Sequence, residues 1–358
     1  MNQENLSIEN STSLDLPLVS IGIPIFNVEQ FVEKCLVSVF NQTYNNIEIL
    51  TIDDCGNDKS MDIVYDIQKH HPKGDQIKVI KHDVNKGLGE ARNTSIDNAT
   101  GKYIYFLDSD DFIEPEAIEL MVNEAEKHRT DAVLASNQTV DFPSGEIRPS
   151  FIYKNYQVVE GEDAFANIVC ANLRWNITIT SWNILFSLNF LKKNDLRFSV
   201  KFCEDSLFLS DYYPYVKKAV LLPNITYNYV IREGSLMGYQ IRETIPVWEI
   251  RERFRGDALM TERSKRLKER SFYDVHCARV MKYKFRAVCV ALKHRKRFSE
   301  KLSNREIAND LKHPATLSEI IKFKRYKYFN LCFYILGVLP NYISLKLSFF
   351  VAKTTHQL

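Results

Sequence analysis

Along this chain of 358 residues the apolar positions change period repeatedly, and each change predicts an element. Residues 18–27 (Leu-Val-Ser-Ile-Gly-Ile-Pro-Ile-Phe-Asn) form a nearly continuous apolar run closed by a polar turn, the pattern of a buried strand. Residues 30–40 carry Phe31, Cys35, Leu36 and Val39 at helical spacing. A second strand is predicted over 46–52, ending in Asp53-Asp54, and a helix over 59–70 with Met61, Val64 and Ile67 on one face. A third strand follows at 76–82, a helix at 88–98, and a fourth strand at 102–107 that runs into Asp108-Ser109-Asp110-Asp111. Pro115 suits the first turn of a helix reaching about residue 129, and 131–136 reads as another short strand.

Strands and helices alternating this closely predict an α/β fold, a Rossmann-like, mostly parallel sheet flanked by helices. Ligands of such sheets gather beyond the carboxyl ends of the strands. Two acidic pairs, Asp53/Asp54 and Asp108/Asp110, therefore come to one edge. The pattern then changes. Residues 137–235 mix short strands and helices and are rich in Asn, Tyr and Trp. Residues 242–297 read as long and helical, with Met281, Phe285, Val288 and Leu292 on one stripe. The expected organisation is a polar, disordered tail over 1–16, a main domain over 17–240 with halves meeting at 136/137, and a helical basic region over 241–358.

Charge sharpens this division. The net charge is +2, yet residues 1–250 hold 22 Lys/Arg against 36 Asp/Glu, and residues 251–358 hold 25 against 9. The two parts carry −14 and +16. Seven scattered cysteines without a C-x-x-C pair argue against a zinc site or a disulfide framework and fit a reducing, cytoplasmic setting. The first sixteen residues lack a basic and then apolar stretch, so no secretory signal is expected. Residues 328–345 are apolar but interrupted by Asn330, Pro340 and Asn341, a pattern better suited to interfacial contact than to spanning a bilayer.

Three carboxylates within Asp108-Ser109-Asp110-Asp111 repel one another unless a cation or several donors answer them. Oxygen ligands in a turn suit Mg2+ or Mn2+, which would bridge a diphosphate. The competing reading is a cap for the following helix. Asp53-Asp54 permits the same two readings: a carboxylate for a base N–H or a ribose hydroxyl, or a turn opening the next helix. Pro24-Ile25-Phe26-Asn27 could present an aromatic face, although Phe26 alone would suit core packing. Asn85-Lys86-Gly87-Leu88-Gly89 precedes a helix bearing Arg92, a setting suited to phosphate or nucleotide contact. Glu204-Asp205 opens an apolar segment; one of the two could be a general base, or both could sit at a helix start as caps.

Together these runs resemble the large family 2 of inverting glycosyltransferases with the GT-A fold, in particular its bacterial polysaccharide-assembling branch. The matching segments are 19–27, 38–43 with 48–54, 85–93, 101–115 and 204–208, in family order across about residues 17–235. The resemblance implies a nucleotide-sugar half over 17–136 and an acceptor half over 137–240. It implies a UDP-sugar donor whose nucleotide lies among Pro24, Phe26, Asn27, Asp53, Asp54, Asn85, Gly87 and Arg92. Asp108, Ser109 and Asp110 would form the D-x-D segment, with Asp108 and Asp110 holding Mn2+ or Mg2+. Asp205 would be the catalytic base. The chain departs from the family at Asp53-Asp54-Cys55-Gly56, where Asp-Asp-Gly-Ser is common, and at Trp182-Asn183-Ile184, where lysine often follows.

The basic clusters at 265–270, 293–297 and 322–327 lie outside the matching runs and interleave with aromatic residues. They suit the anionic surface of a membrane carrying a saccharide or lipid-linked saccharide acceptor, which would place the protein peripherally on the cytoplasmic face of the inner membrane. They could equally be solvated helix faces packed on the main domain. No nucleic-acid motif accompanies them. The rival classes are a nucleotidyltransferase, which calls for a glycine-rich loop after the first strand, and a non-catalytic nucleotide-sugar-binding protein.

Overall fold

The computed structural model describes residues 16–171, 173, 180–232 and 242–354, so the expectation for the N-terminal tail lies outside the described residues. The alternation is present from the first strand. β1 (Val19–Ile25), α1 (Val32–Phe40), β2 (Ile47–Asp53), α2 (Ser60–His70), β3 (Ile77–Lys81), α3 (Leu88–Asn98) and β4 (Tyr103–Phe106) follow one another. A short β5 (Phe112–Ile113) and α4 (Ala117–His128) lead to β6 (Ala132–Asp141). Then come β7 (Ile147–Phe151), β8 (Gln157–Glu160), α5 (Ala164–Val169), β9 (Ile184–Ser187), α6 (Leu188–Lys193), α7 (Glu204–Tyr212) and β10 (Lys218–Ile231). The rest is helical: α8 (Val247–Ser264), α9 (Tyr273–Lys293), α10 (Asn304–Asn309), α11 (Leu317–Lys322), α12 (Lys327–Val338) and α13 (Asn341–Thr354).

One sheet runs β3-β2-β1-β4-β9-β6-β10-β5, with β7 on β6 and β8 on β10. It is parallel across its first four strands and between β6 and β10. The ladders of β9, β5, β7 and β8 are antiparallel. The order reverses at β1, whose neighbours are β2 and β4. Chains leaving this switch point diverge and open a crevice, which is where ligands of doubly wound sheets bind.

Alternation within β1 explains the two cores. Val19, Ile21, Ile23 and Ile25 enter one cluster with Val32, Leu36, Ile118 and Met121 from α1 and α4. The opposite face gathers Ala91 and Ile96 of α3 with Phe106, Phe186, Phe208 and Tyr212. Phe272, Tyr273, Val275 and Ile320 from the helical region belong to that same cluster, so this region shares a core with the sheet.

The helical stretch expected over 242–297 comprises two helices, α8 and α9. The apolar stripe lapses between Met260 and Phe272, where Leu267 is the sole aliphatic in a polar run, and the chain folds back there through a 3-10 turn at Lys265–Leu267. Part of the basic charge faces inward. Arg263 and Arg266 both pair with Asp211 of α7, Arg270 pairs with Asp163, and Arg325 pairs with Asp274. The 265–270 cluster thus helps to clamp the helices onto the acidic main domain.

His276 of α9 completes the clamp. Fully buried, it bonds the Tyr213 hydroxyl at 2.5 Å and Ser264 Oγ at 2.7 Å. Burial, and then the charge of Arg279, pushes its pKa down to about 3. The neutral ring therefore stabilises the fold fully above the unfolded value of about 6.5, and the contribution fades as pH falls toward the folded value. The stability gap between the wild type and His276→Gln should be constant above about pH 6.5. Below that it should narrow by up to about 1.4 kcal/mol per pH unit, read from urea unfolding. A gap independent of pH contradicts the assignment.

Candidate active site

The carboxyl ends of β1, β2 and β4 deliver the predicted acidic residues to one edge. Asp54, just after β2, is buried. Its carboxylate accepts the backbone N–H groups of Lys86 and Gly87, both at 2.8 Å, and meets His82 Nδ1 at 2.7 Å. Asn85 Nδ2 donates to the Asp54 carbonyl at 3.2 Å, and His82 Nε2 meets the Thr94 hydroxyl at 2.8 Å. Gly87 has a φ of +89°, which lets the loop turn sharply into α3. The Asp54 carboxylate is thus committed to shaping the Asn85–Gly87 loop.

Asp53 accepts the Cys55 N–H at 3.0 Å. Neither acid caps α2; Asp58 bonds the N–H and hydroxyl of Ser60 there. Cys55, at the first family departure, takes a φ of +59°, a conformation that a glycine would adopt at least cost. Pro24 is buried within β1. Phe26 is 45% exposed at the edge, so it is available as an aromatic face and is not core packing. Asn27 turns the chain with a φ of +52° and accepts the Asn57 N–H at 2.8 Å.

Arg92 lies at the centre. The sequence expectation put it near the nucleotide as a phosphate-type contact; the fold buries it completely on α3. Its guanidinium donates to Asp108 at 2.6 Å and to Glu204 and Asp205 at 2.8 Å each. Burial opposes the cation, but the charges of Asp205, Asp108 and Glu204 outweigh it and hold the pKa above the ordinary arginine range. Asp205 also accepts from the Ser181 hydroxyl. Glu204 is pushed up to about 8 by burial and then by the Asp205 charge, against the pull of Arg92. The Asp205 carboxyl is raised too, by burial first, with Arg92 and Ser181 opposing. Both acids occupy the first turn of α7 without capping it.

The cluster after β4 is not a helix cap either, since the cap position of α4 is Glu116, which makes no side-chain cap bond. Asp111 is buried and accepts from the Tyr227 hydroxyl at 2.6 Å and from Val230 N–H at 2.7 Å. Ser109 is buried as well. Asp110 accepts from Arg232 Nε at 2.8 Å, and its pKa is raised by burial and by Asp108, with Arg232 opposing. Among the described residues no cluster of three or more His, Cys, Asp or Glu forms a ligand cage. A divalent ion on a diphosphate needs only one or two protein carboxylates, and two repelling, partly exposed oxygen donors meet that requirement.

Two site residues, Ser181 and Arg232, carried no local signal in the sequence. Ser181 and Arg232 reach Asp205 and Asp110 from distant elements. Trp182 stacks on Tyr227 with centroids 4.4 Å apart, beneath Asp111. Asn183 donates to the carbonyls of Ala135 and Ser136 and accepts from Tyr105 and Thr226. Ile184, the second family departure, begins β9 and is core. His82, one residue beyond a strand end like the aspartates, could have been singled out.

Removing one member of a buried charge network leaves the others uncompensated. Arg92→Met is expected to lower the unfolding free energy by about 3–5 kcal/mol. Adding Glu204→Gln should return part of that loss, measured as urea unfolding midpoints. Absence of any recovery would assign the loss to packing instead of charge.

Residues 20–180 match the family model described as "Glycosyl transferase family 2", a span that includes Asp54, Arg92, Asp108 and Asp110 and stops short of Asp205. Chondroitin synthase of Escherichia coli is 33% identical over 183 residues, 51% of this chain and 26% of that protein. The putative glycosyltransferase EpsH of Bacillus subtilis is 30% identical over 228 residues, 63% of this chain and 64% of that protein. The chain thus spans less than two thirds of the length of either relative. The crystal structure of S. aureus TarS 1-349 in complex with UDP-GlcNAc aligns with a TM-score of 0.67, covering 89% of this chain and 90% of that one at 18% identity, a likeness of fold. Parallel switch point, acidic edge and family match agree: residues 20–180 match glycosyl transferase family 2, on a fold like that of TarS.

Proposed function

We propose that the protein is an inverting glycosyltransferase that moves a sugar from a UDP-sugar to a hydroxyl of a growing saccharide, as in lipopolysaccharide or capsule assembly. The observation that carries this reading is the Arg92 bridge, which holds Asp108 of the D-x-D segment and Asp205 of α7 on one guanidinium. The polysaccharide synthases among the relatives and the UDP-GlcNAc in the TarS crystal structure support the choice of acceptor and donor class.

In this reading Asp205 accepts the proton of the acceptor hydroxyl, whose oxygen attacks the anomeric carbon from the face opposite UDP. The bond from that carbon to the diphosphate breaks, and UDP leaves with its electron pair. Arg92 and Ser181 orient Asp205, while burial keeps the carboxylate basic enough to take a proton. Asp54 sets the Asn85–Gly87 loop beside the nucleotide, and Phe26 offers its exposed face to the base. Asp108 and Asp110 would hold Mn2+ or Mg2+, which when bound supplies positive charge to the departing diphosphate. Among the described residues no helix is long and apolar enough to cross a membrane. In this reading the basic C-terminal helices would hold the enzyme peripherally on an anionic membrane surface, beside a lipid-linked acceptor.

Asp205→Asn should reduce transfer about 100- to 10,000-fold while leaving UDP affinity within a few-fold of wild type. Turnover from UDP release and affinity from calorimetry check this, and unchanged turnover removes Asp205 from the mechanism. Asp110→Ala should abolish the dependence of UDP affinity on Mn2+. Retained Mn2+-dependent affinity places the metal elsewhere.

A further inference from the structure

Helix α13 is packed inside out, and α12, whose Leu331, Phe333 and Tyr334 reach the cores, leaves its other apolar side chains outward. On α13 the buried positions are Ser344, Leu345, Ser348 and Ala352, mostly small, while Tyr342, Ile343 and Leu347 face solvent. On α12 Asn330 is the residue fully buried, while Tyr328, Ile335 and Val338 are exposed, Tyr328 by 79%. Gly337 lets α12 lie against the chain at Leu311, where a Cβ would come within 2.4 Å of a carbonyl oxygen. In water the apolar side of a helix is the side that folds inward. Small residues against protein and large apolar residues outward is the arrangement of helices solvated by lipid.

Charge selects the occupant of this face. After Glu319 the sequence holds no acidic residue, and Lys322, Lys324, Lys327, Lys346 and Lys353 all lie on or beside the two helices. The Lys346 ammonium sits over the Tyr342 ring, 4.4 Å from its centroid. A second copy packed on this face through a two-fold axis would set lysines against lysines. An anionic headgroup layer takes both the lysines and the apolar side chains. Helices of 12 and 14 residues, interrupted at Pro340, extend only about 18–21 Å each, short of the ~30 Å hydrocarbon core, so they lie in the interface.

We propose that the outward edge of α12 and α13 seats in the headgroup region of an anionic phospholipid bilayer as an interfacial anchor. This deepens the peripheral-membrane reading above and rests on it, but not on the donor or the chemistry. The anchor is fixed rigidly to the catalytic body. Arg325 holds Asp274 of α9 at 2.6 Å, and Asn330 bonds the Asp274 carbonyl at 3.1 Å and His313 at 2.9 Å. Seating the two helices therefore sets the orientation of the acidic edge relative to the bilayer.

Flotation of the full chain with vesicles tests this without any sugar nucleotide. Wild type should float with vesicles of phosphatidylglycerol and phosphatidylcholine, and only weakly with phosphatidylcholine alone. The triple variant Ile335→Ser, Tyr342→Ser, Leu347→Ser should bind about tenfold more weakly or worse, with an unchanged melting temperature because these side chains are already exposed. The variant Lys322→Glu, Lys324→Glu, Lys346→Glu should lose the preference for phosphatidylglycerol. Binding kept by the apolar variant and lost by the lysine variant overturns insertion while leaving the peripheral reading standing. Wild type that floats with neither vesicle overturns both. A dimer in sedimentation equilibrium that the apolar variant abolishes gives the face to a second copy and overturns the bilayer assignment.

Discussion

A guanidinium shut away from solvent is tolerable only when its charge is answered, and at Arg92 three carboxylates from two distant parts of the chain answer it. Asp108 follows β4, and Glu204 and Asp205 begin α7, about a hundred residues later. Without the cation these acids would repel one another in a poorly hydrated crevice; without the acids the cation could not be buried. This mutual requirement ties α3, the β4 turn and α7 into one unit. It sets the relative position of the two carboxylate sites to which the proposed chemistry assigns different jobs. It also adds to the raised pKa of Glu204, where burial acts first and the charge of Asp205 next, against the one cation.

A second layer of the same logic surrounds the bridge. Asp54 is spent on the backbone of the Asn85–Gly87 loop, Asp111 on Tyr227 and Val230, and Asp110 on Arg232. An acidic edge is thus built from carboxylates with separate structural duties; Asp108, Asp110 and Asp205, each bonded to an arginine, stay partly exposed. The opposition of charge seen along the chain is used in the same way. Three arginines of the basic C-terminal region meet acids of the main domain, and the lysines after Glu319 remain at the surface.

The strand and helix positions of the first 136 residues were legible because each element there is short, strongly periodic and closed by a polar turn. The convergence of Asp53/Asp54 with Asp108/Asp110 followed from parallel topology, since strands entering a sheet in one direction must leave at one edge. The helical character of 242–297 was legible, but its break into two helices was not, because their stripes have similar phase across a polar run that could itself be helical. The protein partners of Arg92 and Asp54 were not legible. An arginine early in a helix that follows a glycine-bearing loop, or an aspartate after a strand, has the same local appearance whether it faces a ligand or the protein.

The sequence by itself determined which residues could do chemistry and, through apolar periodicity, to which end of the sheet they would go. It also determined that the last forty residues would be basic and apolar together. Only the tertiary structure decided how those residues are spent: which carboxylate is bonded to backbone, which shares Arg92, and which face of α13 points outward. Periodicity is a property of neighbours along the chain, whereas each of these outcomes depends on contacts between residues tens to more than a hundred positions apart. No local pattern encodes such contacts until the cores on the two faces of the sheet have closed.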